Sequence, residues 1–192
     1  MRIAFFALLL FTCSFINHTV AQAGYIITQK GDTIKGEVKL PAFGRPKFKP
    51  ANKANFRSFN PDTLREYQLT KDSAIFSLKS IPVSSANLVS KVQPLRRLEH
   101  GAINLYEYVA SSGAQISTWY VSKGADSLIA LKTSDLLLAG NGSKKDRRQM
   151  LSNLFADQHD IQKAFDESGK FDFDTIRHYI HSYNMAKSGI KH

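Results

Sequence analysis

Residues 24–40 read GYIITQKGDTIKGEVKL. Tyr25-Ile26-Ile27-Thr28 is rich in aromatic and β-branched side chains, which suit a pleated surface. Lys30-Gly31-Asp32 supplies turn chemistry, with Gly31 free to take a positive φ. The run after it alternates. Ile34, Val38 and Leu40 point one way with Gly36 in register, while Thr33, Lys35, Glu37 and Lys39 point the other. A period of two with one polar face predicts a half-buried antiparallel strand, so the stretch reads as a hairpin in a sheet covered on one side. It is either an exposed binding edge or the first hairpin of a core. Gly36 predicts a bulge or a close backbone approach.

The residues before this hairpin read as an export signal. Arg2 is a short basic region, residues 3–16 are mostly apolar, and Ala21-Gln22-Ala23 is an A-x-A cleavage site. Cleavage after Ala23 would leave residues 24–192, enough for one domain or one domain with an appendage. Cys13 is the only cysteine and lies within the signal. A mature chain without cysteine excludes thiol catalysis, thiolate metal sites and redox exchange. A lipoprotein reading would acylate Cys13, but Leu10-Phe11-Thr12 before it lacks the small residue that reading needs. No later apolar run reaches the roughly 20 residues of a membrane helix. An outer-membrane barrel needs alternating strands to the end, whereas this tail is helical and closes on Ser188-Gly189-Ile190-Lys191-His192.

The charge of +10 bears on partners. For an exported protein it argues against nucleic acid and toward lipopolysaccharide phosphates, anionic headgroups or acidic glycans, or else a basic surface with no dedicated ligand. Residues 41–55, PAFGRPKFKPANKAN, concentrate that charge. Pro41, Pro46 and Pro50 predict a long loop without regular structure. Arg45, Lys47, Lys49 and Lys53, with Arg57 just beyond, surround Phe43 and Phe48. Such interleaving can grip an anionic polymer or a membrane surface. In the plainer account the phenylalanines tuck into the core and the lysines stay wet.

Strand patterns continue past this segment. Residues 56–59 read as a short strand before the Asn60-Pro61-Asp62 turn. Residues 63–69 read as a helical turn or strand entry, with Leu64, Tyr67 and Leu69 inward. Across residues 73–81, Ile75, Ser77 and Lys79 alternate with Phe76 and Leu78, and Pro82 ends the ladder. Residues 88–98 form a strand that Pro94 assigns to an edge or a bulge. From residue 103 to 109, Ile103, Leu105 and Glu107 oppose Asn104, Tyr106 and Tyr108. Ser111-Ser112-Gly113 turns into residues 116–122, and residues 127–132 follow as another strand. The total is about seven short strands, as in an antiparallel meander or a partly closed barrel.

The pattern changes after residue 139. Ala139-Gly140-Asn141-Gly142 is a break, and Ser143 with Asp146 forms a capping box. Leu151, Leu154, Phe155, Ile161 and Phe165 keep helical spacing, with a break near Asp157. Asp172 or Asp174 caps a last helix whose stripe is Ile176, Tyr179, Ile180 and Tyr183. The fold class is thus α+β: an antiparallel sheet or partly closed barrel over residues 24–139, two to three helices over 140–187 packed on the sheet or on each other, and a tail at 188–192.

Candidate chemistry is sparse. His178 and His181 stand at i, i+3 with Asp174 one turn before, but a histidine pair cannot complete a zinc site. Asp157, His159 and Asp160 could do acid–base work, yet Asp157 reads more simply as a helix N-cap with Asp160 at N3. No G-x-S-x-G elbow is present. Gly140-Asn141-Gly142-Ser143-Lys144-Lys145 misses the P-loop spacing, leaving at most a weak anion site at a helix start. No catalytic set, metal site or cofactor is assigned.

Several motifs in order resemble an uncharacterised family of secreted proteins common in Bacteroidota. They are Gly24-Tyr25-Ile26, Gly31-Asp32-Thr33-Ile34 with Gly36, Pro61-Asp62-Thr63-Leu64, a G-x-x-x-L-Y run at Gly101, Leu105 and Tyr106, Trp119-Tyr120-Val121, and a terminal helix bearing Tyr183-Asn184. The resemblance spans most of residues 24–185. It implies a domain in the periplasm or at the outer-membrane periphery of a Gram-negative bacterium. Many relatives continue into a C-terminal β-barrel, and the tail here departs from that pattern. The family transfers no catalytic residues. The expected function is a non-enzymatic exported module that binds a protein or envelope component. One alternative is an anionic glycan or lipid binder using the basic segment, with peripheral membrane contact; another is a hydrolase using His159 and a carboxylate.

Overall fold

The computed structural model describes residues 24–41, 45–82, 90–112, 114–124, 128–133 and 142–189. Residues 1–23, which the sequence reads as an export signal, lie outside these residues, as do Phe43, Gly113 and the Asp135-Leu136-Leu137-Leu138 run with its Gly-rich continuation through Asn141.

Among the described residues, ten strands form one antiparallel sheet. They are β1 (Gly24–Thr28), β2 (Thr33–Lys39), β3 (Lys47–Pro50), β4 (Arg57–Ser58), β5 (Leu64–Gln68), β6 (Ile75–Pro82), β7 (Ser90–Glu99), β8 (Ile103–Ser112), β9 (Ala114–Lys123) and β10 (Ile129–Thr133). Their spatial order is β10-β9-β8-β7-β6-β5-β1-β2-β3-β4. The expected seven strands are therefore ten, and the partly closed barrel is an open sheet. β5 pairs with β1 and thereby links the opening hairpin to the meander.

The opening hairpin forms as read. Ile26 faces Ile34 across the β1–β2 ladder, and Gly31 turns the chain at φ +97°. Gly36 marks a close approach rather than a bulge. A Cβ there would lie 2.3 Å from the Lys49 carbonyl oxygen and 2.6 Å from the Phe48 ring. Val38 is buried, but Ile34 and Leu40, at the ends of the stripe, are exposed.

The expectation of an irregular 41–55 loop is corrected by β3. Its residues pair with β2, and Phe48 is buried opposite Val38. Proline excluded a regular strand less strictly than expected because Pro46 precedes the strand and Pro50 ends it. Pro82 likewise remains in the β6–β7 ladder, opposite Ser90. β7 lies inside the strand order, not at the sheet edge. Pro94 pairs with Leu78 on the β6 side, whereas the β7–β8 register covers Arg96–Glu99 and contains a bulge between Arg97 and Glu99.

Among the described residues three helices follow: α1 (Lys144–Leu154), α2 (His159–Ser168) and α3 (Phe173–Ser188). Ser143 and Asp146 form the expected reciprocal capping box. Those hydrogen bonds to Ser143 hold the Asp146 carboxyl below its usual range. Asp172, not Asp174, caps α3, accepting from the Thr175 N–H at 2.7 Å. α2 ends at Gly169 in the left-handed conformation. Asp157 is not the cap of α2; Gln158 occupies that position without a side-chain hydrogen bond.

Strand register assigns side chains to two faces. On the helix face, Ile103, Leu105, Trp119, Val121 and Leu131 meet Leu151, Phe155, Phe165, Ile176, Ile180 and Tyr183 in one core. Each large side chain buried there contributes about 1.5–3 kcal/mol. At the other end of that face, Ile26, Val38, Phe48, Leu64 and Tyr67 form a separate cluster. The far face carries a third cluster of Ile81, Leu95, Tyr106 and Tyr120.

Two motif residues that are far apart in sequence lock the last helix to the sheet. Asn184 donates to the Ile103 carbonyl at 2.7 Å and accepts the Ile103 N–H at 2.9 Å. Gly101 leaves the necessary space, since a Cβ there would lie 2.5 Å from Asn184 Cγ.

Candidate functional site

The far face holds a concavity of about 460 Å³, lined by residues of β1, β5, β6, β7 and β8 and of the adjoining turns. Ladder pairing explains its composition. Ile27 faces Glu66, Glu66 faces Ser77, and Arg97 faces Tyr106, so five strands present their side chains on one side.

Glu66 is the one acid among the lining residues. Its Oε1 accepts the Tyr25 hydroxyl at 2.6 Å. Its Oε2 accepts Arg97 Nη1 at 2.8 Å and Ser77 Oγ at 3.2 Å. Both members of the Glu66–Arg97 pair are largely buried. Burial and the adjacent Glu66 carboxylate push the Tyr25 hydroxyl up to about 12. Burial also raises Tyr106. Charge inside this cluster is thus matched and held in place.

Arg65 enters the wall through an irregularity in β5. Ile27 pairs with Glu66 but Thr28 pairs with Leu64, so the register skips Arg65. Leu64 and Tyr67 can therefore bury in the same cluster although they are three residues apart, and the exposed Arg65 lines the concavity. Bulges commonly re-aim a side chain in this way. Lys79 reaches in from β6, with Nζ 5.5 Å from the centre of the Tyr106 ring. His100 Nδ1 and Asn104 Oδ1 are 2.8 Å apart at the rim. Gln29 is held by its amide nitrogen on the Leu64 carbonyl at 2.7 Å.

The residues singled out from the sequence do not converge there. Lys47 and Lys49 stand on one side of β3, while Arg57, paired with Phe48, stands on the other. Lys49 and Lys39 both bind Glu37, at 2.9 and 2.8 Å, and pull its carboxyl below the usual range. Their ammonium groups also lie near the Phe56 ring. Arg45, Lys47, Lys53 and Arg57 are exposed. Phe48 is buried rather than offered to a ligand.

The acid–base candidates are also dispersed. His159 is exposed in the first turn of α2. Asp157 accepts Lys123 Nζ at 2.8 Å, Lys187 Nζ at 2.7 Å and the Tyr183 hydroxyl at 2.8 Å. Those donors, Lys123 foremost, hold its carboxyl far below the usual range. Lys123 also binds the Leu154 carbonyl at the end of α1. This cluster ties β9, α1 and α3 together. His181 pairs with Glu99 at 3.1 Å, beside Arg177 at 2.7 Å on the same carboxylate. His178 lies in a separate shallow hollow with Asp174 and Tyr179. Among the described residues, no three His, Cys, Asp or Glu side chains are grouped to hold a metal, and no helix is long and apolar enough to cross a membrane.

Neither protein-family models nor curated proteins nor solved structures match this chain. Sequence reading missed Arg65, Glu66 and Arg97, because their grouping depends on ladders joining residues about thirty positions apart. One signal was present in the alternation that set Ser77 and Lys79 on one face.

Proposed function

We propose that this protein is an exported, non-enzymatic module of the cell envelope, acting in the periplasm or at the outer-membrane periphery and binding a protein or envelope component through the far face of its sheet. The observation that carries this reading is the state of Glu66. Three donors occupy its two oxygens, so the concavity offers fixed polar groups for recognition and no free carboxylate base. The residues 21–23 cleavage motif and the motif order across residues 24–185 support export and the Bacteroidota resemblance. Fractionation of cells expressing the full chain tests the proposal: the product should begin at Gly24 and appear in the periplasmic or envelope fraction. A cytoplasmic product that retains residues 1–23 would refute it.

Exposure of Arg45, Lys47, Lys53 and Arg57 favours a second reading, in which the segment around β3 contacts an anionic glycan or lipid. Binding to lipopolysaccharide or anionic liposomes should then weaken as salt is raised. Salt-insensitive binding, or none, would remove that reading.

A further inference from the structure

We propose that the far-face concavity binds an anionic saccharide, with Arg65 and Lys79 meeting its acidic group; this rests on the envelope-binding reading above. The charge balance leads there first. The lining residues include Arg65, Lys79 and Arg97 but one carboxylate, Glu66. Arg97 is committed to Glu66 at 2.8 Å. Arg65 and Lys79 have no anionic partner among the described residues, so an acidic group in the concavity would meet two uncompensated cations. The planar guanidinium of Arg65 can chelate a carboxylate or phosphate, and Lys79 adds a point charge.

The rest of the lining suits a hydroxyl-rich ring. Asn104 uses its carbonyl oxygen on His100, which leaves its amide nitrogen as a donor. Gln29 uses its amide nitrogen on Leu64, which leaves its carbonyl oxygen as an acceptor. Tyr106 forms an aromatic wall beneath Lys79. At about 460 Å³ the space is of small-ligand size. It is concave rather than flat, which favours a sugar unit over a protein surface. The Glu66–Tyr25–Ser77–Arg97 cluster keeps the floor rigid, so little ordering cost opposes binding.

Calorimetric titration of the protein purified from cells expressing the full chain tests the proposal. The probes are digalacturonate, glucose 1-phosphate, inorganic phosphate and cellobiose. One or both acidic sugars should bind, with affinity falling as salt rises; which one does distinguishes a carboxylated from a phosphorylated saccharide. Arg65→Gln and Lys79→Gln should each weaken binding by about tenfold, the scale of one charge-assisted contact. Trp119 fluorescence verifies that the variants remain folded. The proposal is overturned if neither acidic sugar binds, if cellobiose or inorganic phosphate binds as well as they do, or if the substitutions leave affinity unchanged. Cell fractionation separates the two levels of failure. Wild-type association that survives both substitutions overturns the saccharide site and leaves the envelope reading standing. A cytoplasmic wild-type product that retains residues 1–23 overturns the envelope reading, and the saccharide assignment that rests on it falls too.

Discussion

Replacing Asn184 with alanine should undock the last helix from the start of β8. Asn184 is 9% exposed and satisfies both backbone groups of Ile103, at 2.9 and 2.7 Å. Each buried group left unpaired costs about 1–3 kcal/mol. The better helix propensity of alanine returns roughly 0.5 kcal/mol. Asn184→Ala should therefore cost about 1.5–5.5 kcal/mol, lowering the melting temperature of a domain this size by roughly 3–20 °C. Gly101→Ala places a methyl 2.5 Å from Asn184 Cγ and 2.7 Å from Oδ1, an overpacking worth about 1–3 kcal/mol. In the Asn184→Ala background those two contacts vanish and the 2.9 Å approach to Cβ remains. The double variant should thus be less destabilised than the sum of the single variants, by roughly 1 kcal/mol. Urea denaturation can follow this through the single tryptophan, since Trp119 packs 4.5 Å from Phe173 at the start of α3. An Asn184→Ala cost under about 0.5 kcal/mol, or strict additivity, would refute the assigned lock.

Three further outcomes are expected. Gly36→Ala should destabilise the sheet by about 2 kcal/mol or more, because its methyl meets the Lys49 backbone and the Phe48 ring; an unchanged urea midpoint would contradict the close approach. Asp157 has its carboxyl pKa depressed by Lys123, Lys187 and Tyr183, so its contribution is present above the unfolded value of about 3.9 and is lost as pH falls below it. Asp157→Asn should lower stability at pH 7 and flatten the loss on acidification, whereas an acid-unfolding profile parallel to wild type would exclude that role. Tyr25, raised to about 12, should remain protonated at pH 11. Its contribution is complete below the unfolded value of about 10 and is lost as pH rises through the folded value; burial also lifts Tyr67 to about 12, so Tyr25→Phe should shrink the late phenolate absorbance step rather than abolish it, while leaving the earlier tyrosines unchanged.

Local pattern revealed much of the architecture. The alternation of Ile103, Leu105 and Glu107 against Asn104, Tyr106 and Tyr108 assigned β8 to its correct faces, and Ser143 with Asp146 announced α1. Both are short-range signals, written in side-chain period and cap chemistry. Where the reading failed, a distant partner decided. Lys47 and Lys49 looked like loop residues until pairing with β2 made them a strand, and Asp157 looked like a cap until Lys123 and Lys187 claimed it.

Sequence alone determined the opening hairpin, the α+β division and the apolar stripes, because each depends on neighbours within a few residues. It even named Gly101 and Asn184, though not that they touch. Tertiary structure alone decided that ten strands stay open as one sheet, that β5 joins β1, and that Arg65, Glu66, Lys79 and Arg97 share one concavity. Those facts follow from long-range register, where a single skipped residue in β5 changes which side chain meets which.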